Sequence, residues 1–156
     1  MGNSRTVEEW IDVLSIREVI SRYTSLVNRD AWDEFDALWA PDAEWVLGPP
    51  LNTTLRGAPA VRESLLSSLD GNDFFLQMTH DSDVTLHGEG RASATTAIHA
   101  MARRPGHHEV RSYGIYYDDF VKIDDSWKFA KRRMVPIYMD PSPLPGQAPT
   151  PRSGLA

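Results

Sequence analysis

The stretch His80-Asp81-Ser82-Asp83-Val84-Thr85-Leu86, followed by Gly88-Glu89-Gly90 and then by Arg91 through Met101, decides the fold. Val84 and Leu86 lie two apart with polar Asp83 and Thr85 between and beside them, the period of a half-buried strand. The two glycines mark a tight turn, so the runs on either side read as a hairpin. Strict alternation places His80 on the face of Val84 and Leu86, pointing inward. An inward imidazole is a candidate proton carrier, because its charge changes near neutral pH. A core histidine with satisfied hydrogen bonds is the plainer alternative.

The same pattern continues toward the C-terminus. Pro105-Gly106 breaks toward a strand-like run from Glu109 to Ile123, and Asp124-Asp125-Ser126 turns into Trp127 to Met139. Long strands joined by short turns imply an antiparallel meander. Toward the N-terminus the period changes. Ile16, Val19, Ile20, Tyr23 and Val27 follow helical spacing, with Arg17, Glu18 and Arg22 on the other face. A turn or two is expected around Val7 to Leu14, with Ser15 and Glu18 as a capping box that restarts the helix. Asp33 caps a short helix through Leu38 and Trp39, which Pro41 stops. Ala43 to Leu47 reads as a strand, Gly48 to Thr54 as a loop, and Ala58 to Leu69 as a helix with Pro59 in its first turn. Helices first and a meander afterwards give an α+β domain with the helices on one sheet face.

At 156 residues the chain has room for one domain with a core. That domain spans 1–140, and the proline-rich 141–156 is expected to be an extended or disordered tail. A net charge of -6 opposes a nucleic-acid surface, and Lys131-Arg132-Arg133 is read as decoration on a sheet. The absence of cysteine excludes disulfides, thiolate metal sites and cysteine nucleophiles. No apolar run approaches the roughly 20 residues of a membrane span. Residues Met1 to Arg5 precede a polar segment, so a cytoplasmic location is expected.

Several strings resemble a known family in the right order. Ile16-Arg17-Glu18 through Tyr23, then Val27 to Asp33, resembles the helical opening of SnoaL-like proteins of the nuclear transport factor 2-like (NTF2-like) superfamily. Leu38-Trp39-Ala40-Pro41-Asp42-Ala43-Glu44-Trp45 resembles their passage into the first strand, and Gly57-Ala58-Pro59-Ala60-Val61 their next helix start. Gly114 to Phe120 and Ser126 to Arg133 resemble their last two strands. The resemblance implies a curved antiparallel sheet wrapped by helices into a cone around an apolar pocket, and a homodimer or higher homo-oligomer.

The resemblance is strongest to the dehydratase-like branch, which includes scytalone dehydratase, bile-acid 7α-dehydratase and hexachlorocyclohexane dehydrochlorinase. It implies Tyr23 as the helix tyrosine and His80 as the strand histidine that moves the proton. Asn28 falls where these enzymes carry an aspartate. An amide orients an imidazole but carries no charge and takes no proton, which puts the dyad chemistry in doubt. His99 resembles the second histidine of scytalone dehydratase. Tyr113, Tyr116 and Tyr117 straddle both strand faces, and Trp45, Phe75 and Met78 are candidate pocket wall. Asp118 reads as an acid if buried, or as an arginine-paired aspartate. No metal is expected from His107-His108, and no phosphate loop or nucleophile elbow occurs.

The leading expectation is a cofactor-independent lyase or isomerase performing dehydration, isomerisation or cyclisation by proton transfer. Its substrate would be a hydrophobic, oxygenated, ring-bearing molecule such as a polyketide, steroid or aromatic metabolite. The alternatives are a non-catalytic small-molecule binder or accessory protein, favoured by Asn28, and an epoxide hydrolase built on an Asp–Arg–Asp set.

Overall fold

The computed structural model describes residues 4–155. Helix α1, Val7–Asn28, opens on a capping box in which the Thr6 hydroxyl accepts from the Glu9 amide and the Glu9 carboxylate accepts from Thr6. The expected restart at Ser15 does not occur. The Ser15 hydroxyl donates back to the Ile11 carbonyl at 2.9 Å and the helix runs on. Val13, Ile16, Ile20, Tyr23 and Val27 form one continuous buried stripe, and packing along that stripe overrides the local stop signal. Two 3-10 turns, Trp32–Glu34 and Asp36–Leu38, replace the short helix expected after Asp33.

Strand β1 spans Trp39–Leu47 and β2 Thr53–Arg56, the latter beginning within the segment read as loop. It pairs antiparallel with β1 and is mostly exposed, so it lacks the apolar alternation that marks a strand in sequence. Helix α2 spans Ala58–Leu69, as its apolar spacing requires, with Gly57 entering at φ 79. The meander consists of β3 Phe74–Gly88, β4 Arg91–Arg104, β5 His108–Ile123 and β6 Ser126–Asp140. The sheet order is β2-β1-β6-β5-β4-β3, antiparallel throughout except where β1 runs parallel to β6.

This order leaves β3 at an edge, where unpaired backbone groups would invite another strand. Helix α1 and the residues that lead into it seal it with side chains. Arg5 donates to the Val84 carbonyl at 2.7 Å, Arg17 to the Ser82 carbonyl at 2.9 Å, and the Thr24 and Thr79 hydroxyls meet at 3.2 Å. Asn28 finishes the seam by donating to the Gln77 carbonyl at 2.7 Å and accepting from the Gln77 amide at 2.9 Å.

A bulge in β3 overturns the strict alternation from which His80 was placed. Thr79 faces Ile98 and Ser82 faces Thr96, so three steps on β3 oppose two on β4. The extra residue reverses the phase. Gln77, Ser82 and Val84 are buried on the inner face, while His80 and Asp81 are exposed. On β4 the inner face carries Ala92, Ala94, Thr96 and Ile98. A second bulge falls on β6, between the Phe120–Phe129 and Asp119–Lys131 pairs. Such bulges bend the sheet around α1, and Phe35, Trp39, Phe120 and Phe129 fill the floor of the resulting cone. Among the described residues no helix is long and apolar enough to cross a membrane.

Residues 141–151 run extended, and a single 3-10 turn, Arg152–Gly154, ends the described chain.

Candidate functional site

The middle residue of the basic run is the most deeply buried arginine of the cone, contrary to its reading as sheet decoration. Arg132 on β6 is 0% exposed, and its cross-strand neighbour Asp118 on β5 is 1% exposed. The two pair side-on, Nε to Oδ1 at 2.8 Å and Nη2 to Oδ2 at 2.7 Å. Such forked pairing offsets the desolvation of both charges. The guanidinium carbon lies 3.9 Å from the Tyr116 ring, 4.2 Å from Phe129 and 4.3 Å from Tyr23, so aromatic rings surround the cation. Its Nη1, on the side away from Asp118, has no hydrogen-bond partner.

Two phenols and an amide complete the cluster. Gln77 Nε2 donates to the Tyr116 hydroxyl at 2.6 Å. Tyr23 reaches the same region from α1, its ring edge-on to Tyr116 at 6.2 Å. The seam described above fixes this geometry, since Asn28 holds the backbone of Gln77 and thereby aims its side chain inward.

Electrostatics follow from burial. Burial pushes the Tyr23 phenol far above its ordinary value and raises Tyr116 too, so both remain hydroxyls throughout the physiological range. Burial also pushes the Asp118 carboxyl up, against the pull of Arg132. For Arg132 burial opposes the charge, but Asp118 overcomes it and holds the guanidinium above its ordinary range. The cluster therefore offers one carboxylate with heightened proton affinity and several fixed donors. The indole nitrogens of Trp39 and Trp45 are likewise buried without partners.

The other expected residues fall into two groups. Tyr23, Tyr116, Trp45 and Phe75 lie on the inner side, Phe75 half-buried. Asn28 meets the edge strand instead of His80, and both polar atoms of its amide are committed to Gln77. His80 lies outside, along a cleft of about 420 Å³ with Arg17, Ser21 and Asp81. His99 is on the outer face, stacked on Tyr113 with ring centroids 5.0 Å apart, and Met78 is its cross-strand neighbour on that same face. Tyr113 and Tyr117 are 40% and 39% exposed. Among the described residues no second aspartate joins Asp118 at Arg132, and Asp119 is exposed on the opposite face.

Gln77 and Arg132 were missed in sequence. Gln77 is invisible without the bulge. For Arg132, the signal was its pairing opposite Asp118, two polar residues interrupting otherwise apolar strand faces.

Above the cluster, the inner face continues along Met134 and Pro136 of β6 and Ser112 of β5. These residues and the 48–51 loop enclose a largely apolar cavity of about 230 Å³. It lies on the mouth side of the cone, one rung above Tyr116, which pairs with Met134.

A helix-wrapped, bulged meander with a polar cluster inside defines a cone-shaped α+β protein. The chain belongs to the SnoaL-like domain family, whose model matches residues 8–133. An uncharacterized protein of Mycobacterium tuberculosis is 24% identical over 128 residues, covering 81% of this chain and 86% of that one. A protein provisionally described as a scytalone dehydratase from Novosphingobium aromaticivorans superposes with a TM-score of 0.77 at 20% identity, covering 87% of this chain and 91% of the other. The hexachlorocyclohexane dehydrochlorinase LinA-type3 of Novosphingobium barchaimii superposes at 0.80 with 16% identity, covering 93% and 98%. At these identities the structural likeness establishes the fold.

Proposed function

We propose that this protein is a cofactor-independent enzyme of the lyase–isomerase kind, acting on an apolar, oxygen-bearing small molecule. The chemistry is centred on the Asp118–Arg132 pair and not on His80. The unpartnered Nη1 of Arg132 carries this reading: a buried cationic donor without an acceptor is costly unless a ligand or water supplies one. In this mechanism Arg132 and the Tyr116 hydroxyl hold the substrate oxygen where negative charge develops. Asp118, whose proton affinity burial has raised, accepts the proton. Donors fixed in an apolar enclosure act more strongly than in water, and proton transfer adds about 10²–10⁴-fold. The dehydratase and dehydrochlorinase among the structural neighbours support an elimination or isomerisation of this type.

The test begins with capture of metabolites from a cell extract and their identification by mass spectrometry. The captured compound is then incubated in D₂O with wild type and with the Arg132→Met/Asp118→Leu double variant. Solvent deuterium entering a carbon position, or loss of a leaving group, is expected for wild type alone. Capture that is undiminished in the double variant would remove the cluster from the function.

A second reading, a non-catalytic binder, rests on Asn28 and Gln77. Neither amide can take a proton, and together they hold the seam between α1 and the inner face of β3. Capture without deuterium uptake or bond cleavage would decide for it. We also propose self-association through the outer face, where Ile137 and Tyr138 are 64% and 60% exposed. Tyr138→Glu is expected to lower the mass seen in sedimentation, and an unchanged monomer in both forms would refute this.

A further inference from the structure

The C-terminal residues lie outside the stretch that the family model matches. After β6 the chain crosses the far end of the meander. Arg111 reaches the carbonyls of Ser142 and Pro143 at 3.3 and 3.5 Å, and Arg103 those of Leu144 and Gly146, each at 2.5 Å. The Glu109 carboxylate accepts from the Leu144 amide. The chain then rounds the start of β3 and ends at the C-terminus of α1. There Arg152 donates to the Val27 carbonyl at 3.3 Å and pairs with Asp30 at 2.5 Å, its guanidinium 5.2 Å from the Phe75 ring.

Three features set this segment apart from a packed element. Every hydrogen bond that ties it to the body passes through a side chain, with no strand pairing among the described residues. Cavities of about 280 and 210 Å³ lie beneath it, the first against Phe74 and Met101, the second against Phe74, Phe75 and Leu76. The Arg152 side chain is only 10% exposed, yet its Nη1 has no partner, so the residue is inserted without being fully satisfied. A segment with few apolar contacts and side-chain anchors opens at lower free energy than the strands it covers.

We propose that residues 141–155 form a detachable strap that gates the mouth of the cone, with Arg152 as its latch between the end of α1 and Phe75. The proposal rests on the interior being a ligand site. Phe75 stands on the inner face, two residues before Gln77, so Arg152 is inserted on the side of the sheet that carries the Tyr116–Arg132 cluster. Release of the latch uncovers Phe75 at the rim, and re-insertion closes the rim over a bound molecule. Arg152 is a positioning residue here and takes no part in proton transfer.

The experiment uses the neutral apolar fluorophore N-phenyl-1-naphthylamine with wild type, Arg152→Gln and a chain ending at Asp140. Stopped-flow mixing reads its entry, and hydrogen exchange reads the amides of 141–155. Both altered proteins are expected to take up the probe about tenfold faster. In Arg152→Gln the strap amides should also exchange faster, while those of β5 keep their protection. Faster strap exchange with an unchanged entry rate would overturn the gate and leave the interior site standing. Failure of all three proteins to take up the probe, with β5 still protected, would instead remove the interior ligand site and the gate with it.

Discussion

Asn28 stands where a dehydratase-like dyad would place a carboxylate, but here it serves the backbone. An amide matches the N–H and C=O of an edge residue because it carries both a donor and an acceptor, whereas a carboxylate accepts only. Asn28→Asp would therefore set a negative oxygen against the Gln77 carbonyl. A loss of about 1–3 kcal/mol in urea unfolding is expected, without gain of lyase activity. Equal stability of this variant would show that the seam is not the role of Asn28. Arg132 and Asp118 make a second case. Removing either partner leaves a buried charge unmatched and should cost about 3–5 kcal/mol, while the Arg132→Met/Asp118→Leu double variant should cost far less. A double-mutant cycle in denaturant measures this, and additive losses would contradict the coupling.

At the level of strands and helices, the β3 bulge is the decisive feature. It moves His80 from the expected inner face to solvent, so His80→Ala is expected to change stability by no more than about 0.5 kcal/mol. Deleting Asp81 would remove the extra residue and straighten β3, with Gln77 and Val84 both kept on the inner face opposite Ala100 and Ala94. Melting followed by circular dichroism is expected to stay cooperative. A deletion that abolishes it would show that the surplus residue does not simply loop out between two inward-facing runs. Helix α2 and the four long strands were legible because each keeps its period over most of its length, between clear turn signals. The bulge was not, because the run His80 to Leu86 is consistent with alternation at every step; only the pairing of Thr79 with Ile98 and Ser82 with Thr96 exposes the extra residue. Strand β2 escaped for a related reason, since an exposed edge strand has no apolar face to announce it. Tyr23 faces the interior because α1 runs unbroken past it.

For the molecule as a whole, acid should loosen the strap before the cone. The Arg103 hydrogen bonds hold the Asp73 carboxyl below its ordinary 3.8, and those from Ser142 do the same for Asp140. A depressed carboxyl stabilises the fold above its ordinary pKa, and that contribution is lost as pH falls through the lower folded value. Asp73 orients Arg103, which grips Leu144 and Gly146, and Asp140 sits where the strap leaves β6. Hydrogen exchange of 141–155 should accelerate below about pH 4, relative to the intrinsic rate, while the amides of β4 and β5 stay protected. Simultaneous loss of protection in strap and sheet would show a single cooperative unit. Periodicity and turn residues, which act between near neighbours in the chain, were enough to specify helices followed by a meander, and hence the cone. Which side chains enter that cone depended on partners distant in sequence: a one-residue excess against β4 turned His80 out and Gln77 in, and Asp118 drew Arg132 into the interior. Burial of a charge is settled by what lies across the sheet, and that information exists only once the strands have paired.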